Sequence, residues 1–188
     1  MAKGTVSASV IRRLPRYHRF LRELADNGVV RISSGDLAAK MGLTASQIRQ
    51  DLNCFGGFGQ QGYGYNVQSL YEEIGKILGL GTHRRAILIG AGNLGRAIAQ
   101  HMDFLSRGFE LSAIFDLKPD LIGRQIAGVA IQNVTALYDF CKRVRPTVAI
   151  LCIPKEAAIK LSRDLISLGI KGFWNFSHYD LTLDYEGI

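Results

Sequence analysis

At 188 residues, 47% of them hydrophobic, the chain can form one large or two small domains whose cores need no disulfides. No apolar run approaches the roughly 18–20 residues of a membrane span, and MAKGTVSASVIRRLPRY has no apolar stretch before a small-residue cleavage site, so neither membrane span nor signal peptide is expected. Cys54, Cys141 and Cys152 are odd in number, far apart and in no metal-ligand spacing, which points to a reduced, cytoplasmic chain with no metal site.

The formal net charge of +7 is unevenly placed. Residues 1–84 hold 11 Lys and Arg against 6 Asp and Glu, whereas residues 85–188 hold 12 against 10. Lys3, Arg12, Arg13, Arg16, Arg19 and Arg22 all precede the first acid, Glu23. A basic lobe beside a near-neutral one suggests that the first meets a polyanion. A merely solubilising set of arginines fits the same count.

In chain order, Ser9 is a candidate cap for a helix with Leu14, Tyr17, Leu21, Leu24 and Ala25 at helical spacing, ending near Asn27-Gly28. Ile32 reads as a short connector. Residues 33–36 open a second helix, LAAKM, which Gly42 stops as a left-handed cap. Thr44 and Gln47 then fit the T-x-x-Q capping box of a third helix, TASQIRQDLNCF. Two short helices joined by a glycine turn make a helix-turn-helix. In the third, Ile48, Leu52 and Phe55 should face inward. Ser46, Gln47, Arg49, Gln50 and Asn53 should face outward, and these are the side-chain types that read base edges and phosphates.

FGGFGQQGYGYNV, residues 55–67, carries five glycines between aromatics and reads as a tight hairpin. Directly after a recognition helix, such a hairpin is a wing, with Gln60 and Gln61 at its tip along the phosphate backbone or in the adjacent minor groove. A last helix, VQSLYEEIGKIL, should bury Leu70, Ile74, Ile77 and Leu78 and stop at Gly79. Residues 1–80 therefore read as a winged helix-turn-helix DNA-binding domain.

GLGTHRR (79–85) is patternless, which places a boundary near Gly81 and a second domain over residues 81–188. AILIG (86–90) reads as a buried strand, and Gly90, Gly92 and Gly95 complete G-x-G-x-x-G. The first glycine permits a tight turn, the second lets backbone approach a pyrophosphate, and the third lets helix pack on strand. The helix start at Asn93 offers free N–H groups to the anion. ELSAIFD ends in Asp116, 21 residues past Gly95, where a carboxylate should meet the ribose hydroxyls and repel a 2′-phosphate; Lys118 softens that preference. VAILCIP, KEAAIKLSRDLISLG and GFWNF continue the strand–helix alternation, so this half of an α/β chain should be a Rossmann-like open parallel sheet. The same domain could hold an acyl-CoA or a mononucleotide.

The motif also fits a small NAD-dependent oxidoreductase with a basic appendage. Such an enzyme needs an acid–base group against a substrate. Of His18, His83, His101 and His178, the last follows a strand end and is the best placed, but no third region exists to form a substrate pocket. No catalytic residue is therefore assigned. Cys54, in the expected recognition helix, fits a redox-active thiol but reads better as a small packing residue, and Cys152 reads as an inert strand residue.

RRLPRYHRFL, TASQIRQDLNCFGGFGQQGYGYNV, IGAGNLGRAI, IFD, LCIPKEAA and GIKGFWNF closely resemble the Rex family of redox-sensing transcriptional repressors. The resemblance implies a homodimer that binds double-stranded palindromic operators and is released by NADH, with NAD(H) as regulatory ligand. It assigns the pyrophosphate turn to Gly90, Ala91, Gly92, Asn93, Leu94 and Gly95, and the ribose end to Asp116 beside Lys118. The nicotinamide falls near Cys152, Ile153, Pro154, Asn175 and Phe176. Ser46, Gln47, Arg49, Gln50 and Asn53 belong to the recognition helix, Gln60 and Gln61 to the wing, and Arg12 and Arg13 join them from the first helix; Arg13 and Arg19 match an interdomain and DNA-proximal surface. Many members carry Lys where Gln50 stands, bases in the wing, and Tyr where His101 stands, which implies an altered operator preference and altered redox sensing. The family also continues past Ile188 into a helix that swaps between subunits, so a shortened chain is the expectation here.

Overall fold

Ser7, not Ser9, starts the first helix: its hydroxyl accepts the Val10 amide at 3.4 Å, and α1 runs Ala8–Asp26. Ser9 is the second residue of the helix, its Oγ 2.9 Å from that of Ser7. The computed structural model describes residues 6–56, 59–60 and 63–185, with backbone alone for Gly59 and Gln60. The chain divides into two units, Met1–Gly81 and Thr82–Ile188.

In the first unit, Leu14, Tyr17, Leu21 and Leu24 form the buried stripe of α1. β1 (Arg31–Ile32) is a strand where the sequence suggests a connector, because Ile32 and Arg31 find backbone partners in Tyr65 and Asn66. α2 (Ser34–Met41) is capped by Ser33 and closed by Gly42 at φ +63°. α3 (Ala45–Asn53) starts on Thr44, whose Oγ1 accepts the Gln47 amide at 3.1 Å. β2 (Gly59–Gln60) and β3 (Gly64–Asn66) pair antiparallel, and with β1 they form a sheet of order β1-β3-β2. α4 (Val67–Leu78) buries Val67, Leu70 and Ile74. Ile77 is 40% exposed, against expectation, because the apolar stripe centres on Ile74 and leaves position 77 at its rim.

The second unit alternates β4 (Arg84–Ile89), α5 (Asn93–His101), β5 (Phe109–Asp116), β6 (Gln125–Ile126), β7 (Val129–Asn133), α6 (Leu137–Val144), β8 (Val148–Leu151), α7 (Lys155–Ser167) and β9 (Gly172–Asn175). Strand order is β6-β7-β5-β4-β8-β9. The sheet is parallel except at one edge, where β6 and β7 form an antiparallel hairpin. The open parallel sheet expected from the strand–helix alternation thus carries one short antiparallel edge strand, because Ala127 (φ +50°) and Gly128 (φ +79°) turn the chain back within two residues. Ile87 and Ile89 fill one face with Phe115, Phe140 and Leu165, while Leu88 fills the other with Ile114 and Phe104. From β4 the chain moves outward to β5 and β7, then returns to β8 on the opposite side. The order thus reverses between β4 and β8, and the crevice beyond their carboxyl ends is where open α/β sheets take ligands.

Candidate dinucleotide and nucleic-acid sites

β4 delivers Gly90 to that crevice at φ +97°, its N–H bonded to the Phe115 carbonyl at 2.8 Å. A Cβ on Gly90 would stand 2.4 Å from the Cys152 carbonyl oxygen, and one on Gly95 would stand 1.9 Å from the Gly90 carbonyl oxygen. Both glycines are required by backbone against backbone. Gly92 is different: a Cβ there would meet no protein atom within 4 Å. The space above Gly92 is open, at the N-cap of α5.

No side chain caps α5. The Asn93 side chain instead accepts Arg96 Nη2 at 2.7 Å, and the first intrahelical bond runs from the Arg96 amide to the Gly92 carbonyl at 2.9 Å. The amides of Asn93, Leu94 and Gly95 are the donors that a helix start leaves over, and they sit where the dipole favours an anion. Asp116, at the end of β5, turns back over the same turn. Its Oδ2 accepts the Ala91 amide at 2.6 Å and its Oδ1 the Lys118 amide at 2.9 Å. A carboxylate has about four lone-pair sites, so each oxygen keeps capacity for a ribose hydroxyl. Amide donors for a pyrophosphate, an open glycine and a braced carboxylate together fit a dinucleotide.

Further along the crevice, the Cys152 amide bonds the Ile89 carbonyl at 2.8 Å. The side chain is half-buried just past β8, and burial pushes its thiol up to about 11. Ile153 presses on the glycine turn, its Cγ2 2.9 Å from the Cβ that Gly90 lacks, and exposed Pro154 is the N-cap of α7. Asn175 donates to the Tyr179 carbonyl and accepts the Ser177 amide at 3.0 Å, so its amide shapes its own loop. Phe176 is 44% exposed. With Phe173 and His178 these two residues line an open cleft. His178 is exposed and in the left-handed region at φ +57°.

In the first unit, Ser46, Arg49, Gln50 and Asn53 are exposed on α3, and Arg12 is exposed on α1. Arg49 Nη1 donates to Ser34 Oγ at 3.1 Å. Gln47 departs from its expected outward orientation, and Arg13, expected at a DNA-proximal surface, is engaged within the unit as well. Both turn to Asp51, which is fully buried: Arg13 grips it through Nε and Nη2 at 2.6 and 2.8 Å, Gln47 Nε2 donates at 2.8 Å, and Tyr17 Oη donates at 2.9 Å. Burial alone would push the Asp51 carboxyl up, but the hydrogen bonds from Arg13, Gln47 and Tyr17 outweigh it and hold the group below the usual carboxylate range. Asp51 and Tyr17 are the residues that sequence reasoning missed. The signal was an acid four residues after Gln47 on a helix whose other polar side chains are neutral or basic. Of the wing pair, Gln60 is described in backbone only, paired with Gly64, and Gln61 lies outside the described residues. Cys54 is exposed one residue past the end of α3, its Sγ donating to the Gln50 carbonyl at 3.3 Å, so the expected packing role is corrected. Among the described residues no helix is long and apolar enough to cross a membrane.

Residues 5–53 match the family described as "Putative DNA-binding protein N-terminus", and residues 82–179 match "CoA binding domain". The chain is 54% identical over 179 residues to the redox-sensing transcriptional repressor Rex of Clostridium perfringens, spanning 95% of this chain and 84% of that protein. It is 56% identical over 182 residues to the Rex repressor of Thermoanaerobacter sp. (strain X514), spanning 96% and 81%. Among solved structures, the protein RSP in complex with beta-NAD+ and operator DNA superposes with a TM-score of 0.91 at 55% identity, over 95% of this chain and 82% of that one. RSP in complex with beta-NADH gives 0.88 at 52%, over 95% and 83%.

Proposed function

The chain belongs to the Rex family of redox-sensing transcriptional repressors, and from that premise we propose how its own residues divide the work. It is a DNA-binding repressor regulated by NAD(H), not an enzyme. The observation that carries the residue assignments is the unfinished start of α5 facing Asp116, on the same chain as a winged helix. In our reading the amides of Asn93, Leu94 and Gly95 hold the pyrophosphate and Asp116 the adenosine ribose. Cys152, Ile153, Pro154 and Phe176 border the nicotinamide, with Asn175 shaping that rim. When bound, the dinucleotide supplies a redox-dependent charge at the nicotinamide and no chemistry. Ser46, Arg49, Gln50 and Asn53 face the major groove, with Arg12 and the wing on the backbone. The working form is a cytoplasmic homodimer on a palindromic operator.

Release by NADH requires that NADH bind the DNA-incompetent arrangement more tightly than the competent one, and linkage makes operator DNA weaken NADH equally. Titrating a labelled palindromic duplex, selected from a random library by the protein itself, at several NADH/NAD+ ratios and fixed salt tests this. Affinity should fall as the ratio rises. Equal affinity at every ratio would sink the switch.

Asp116 also sets cofactor choice. Asp116→Ala is expected to bring NADPH affinity to within a fewfold of NADH, because the carboxylate that repels a 2′-phosphate is gone. Unchanged discrimination in paired titrations would show that the ribose lies elsewhere.

A further inference from the structure

The wing segment, residues 55–67, contains no Lys, Arg, Asp or Glu. A hairpin laid against a polyanion without a cation of its own is an electrostatic anomaly. The fold resolves it from another strand. Arg31 of β1 pairs in register with Asn66 of β3, which carries its long side chain along the wing. Its Nη1 donates to the Tyr63 carbonyl at 3.2 Å, and its guanidinium lies 5.8 Å from the centroid of the Tyr63 ring. Tyr63 lies in the turn between β2 and β3 and is 69% exposed. The approach depends on Gly64 (φ +67°), where a Cβ would stand 2.5 Å from the Ile32 carbonyl oxygen, so β3 lies close enough to β1 for an arginine to reach across.

One guanidinium edge is used and one is not. With Nη1 on Tyr63, the Nε–Nη2 edge of Arg31 has no acceptor among the described residues. This is the edge with which Arg13 grips Asp51. It is the geometry that takes two oxygens of a carboxylate or phosphate side by side. The aromatic ring and the carbonyl hold the side chain, so less rotamer freedom is lost when an anion docks.

We propose that Arg31, held against Tyr63, is the phosphate-binding cation of the wing, supplied from β1 because the hairpin has none. This rests on the DNA-binding reading above. The group contacts the backbone, so it contributes affinity and register and carries no base information.

The test measures affinity for the self-selected duplex and for a scrambled duplex of the same length across a salt series, for wild type, Arg31→Ala, Arg31→Lys and Tyr63→Leu. Arg31→Ala should weaken binding to both duplexes about tenfold and lower the slope of log affinity against log salt by about one. Arg31→Lys should keep the slope and recover part of the affinity, since it keeps the charge and loses the fork. Tyr63→Leu, which keeps the backbone carbonyl, should lose about two- to fivefold. Thermal melting and NADH titration confirm that each variant folds. Lys and Leu at these exposed positions carry the test if Ala disturbs the wing. Wild-type affinity and slope in Arg31→Ala would overturn the assignment, as would a loss confined to the selected sequence, which would make Arg31 a base reader. A wild type that binds neither duplex would overturn the DNA-binding reading and this inference together.

Discussion

Gly95→Ala is expected to abolish NADH binding and to destabilise the second unit by about 3 kcal/mol, the upper end for overpacking. The added methyl would stand 1.9 Å from the Gly90 carbonyl oxygen and 3.1 Å from Leu88 Cδ2. The first contact is with backbone, so no side-chain rotation relieves it. Either α5 moves off the sheet or the turn opens, and both displace the three amides that should meet the pyrophosphate. Calorimetric melting should show a fall of order 10 °C for a unit of this size. Gly92→Ala separates the two consequences. Its φ of −67° suits any residue and its Cβ meets no protein atom, so melting should not change. NADH binding should nevertheless fall at least tenfold, because the methyl enters the space left for the ligand. Wild-type NADH affinity in both variants would remove the dinucleotide from this turn.

Asp51→Ala is the second large effect. It leaves Arg13, whose side chain is 26% exposed, without the carboxylate it grips in both directions, and it frees Gln47 and Tyr17. The partly exposed Arg13 can turn to water, but the buried Tyr17 hydroxyl loses its acceptor, a cost of about 1–3 kcal/mol. The rotation of α3 against α1 rests on the same four side chains, so duplex affinity should fall at least thirtyfold while NADH titration of the second unit stays at its wild-type value. A melting point and duplex affinity both unchanged would show the network to be idle. The same carboxyl sets an acid limit. Its folded value is depressed, so its contribution is complete above the ordinary Asp range near 4 and is lost as pH falls through the lower folded value. Asp51→Asn should flatten the acid limb of a stability–pH profile that wild type shows.

Much of this was legible from local signals. Thr44 and Gly42 bracket α3 and α2 because caps and left-handed stops are written in single residues. The glycine spacing, the helix after it and Asp116 at the end of β5 converge because each occupies a defined place in a strand–turn–helix unit. What escaped depends on distant partners. β1 is two residues long, and only its pairing with β3 more than 30 residues later makes it a strand. The β6–β7 hairpin has the same character, its identity set by a positive-φ Ala127 and by the edge it lies on. α6 gives a weak sequence signal although Leu137, Phe140, Cys141 and Val144 have helical spacing, because no strong cap precedes it: Ala136 offers no side-chain bond. Gln47 reads as outward and Arg13 as a DNA contact because nothing local shows that Asp51 is buried between them.

The open start of α5 has one more consequence. A helix whose first amides lack acceptors is an incomplete helix, and a pyrophosphate seated there would serve as its missing cap. The ligand would then be a structural part as well as a signal. At a free concentration a hundred times its dissociation constant it adds about 2.7 kcal/mol to the folded state. Dinucleotide bound there, oxidised or reduced, would accordingly raise the melting temperature of the second unit by mass action.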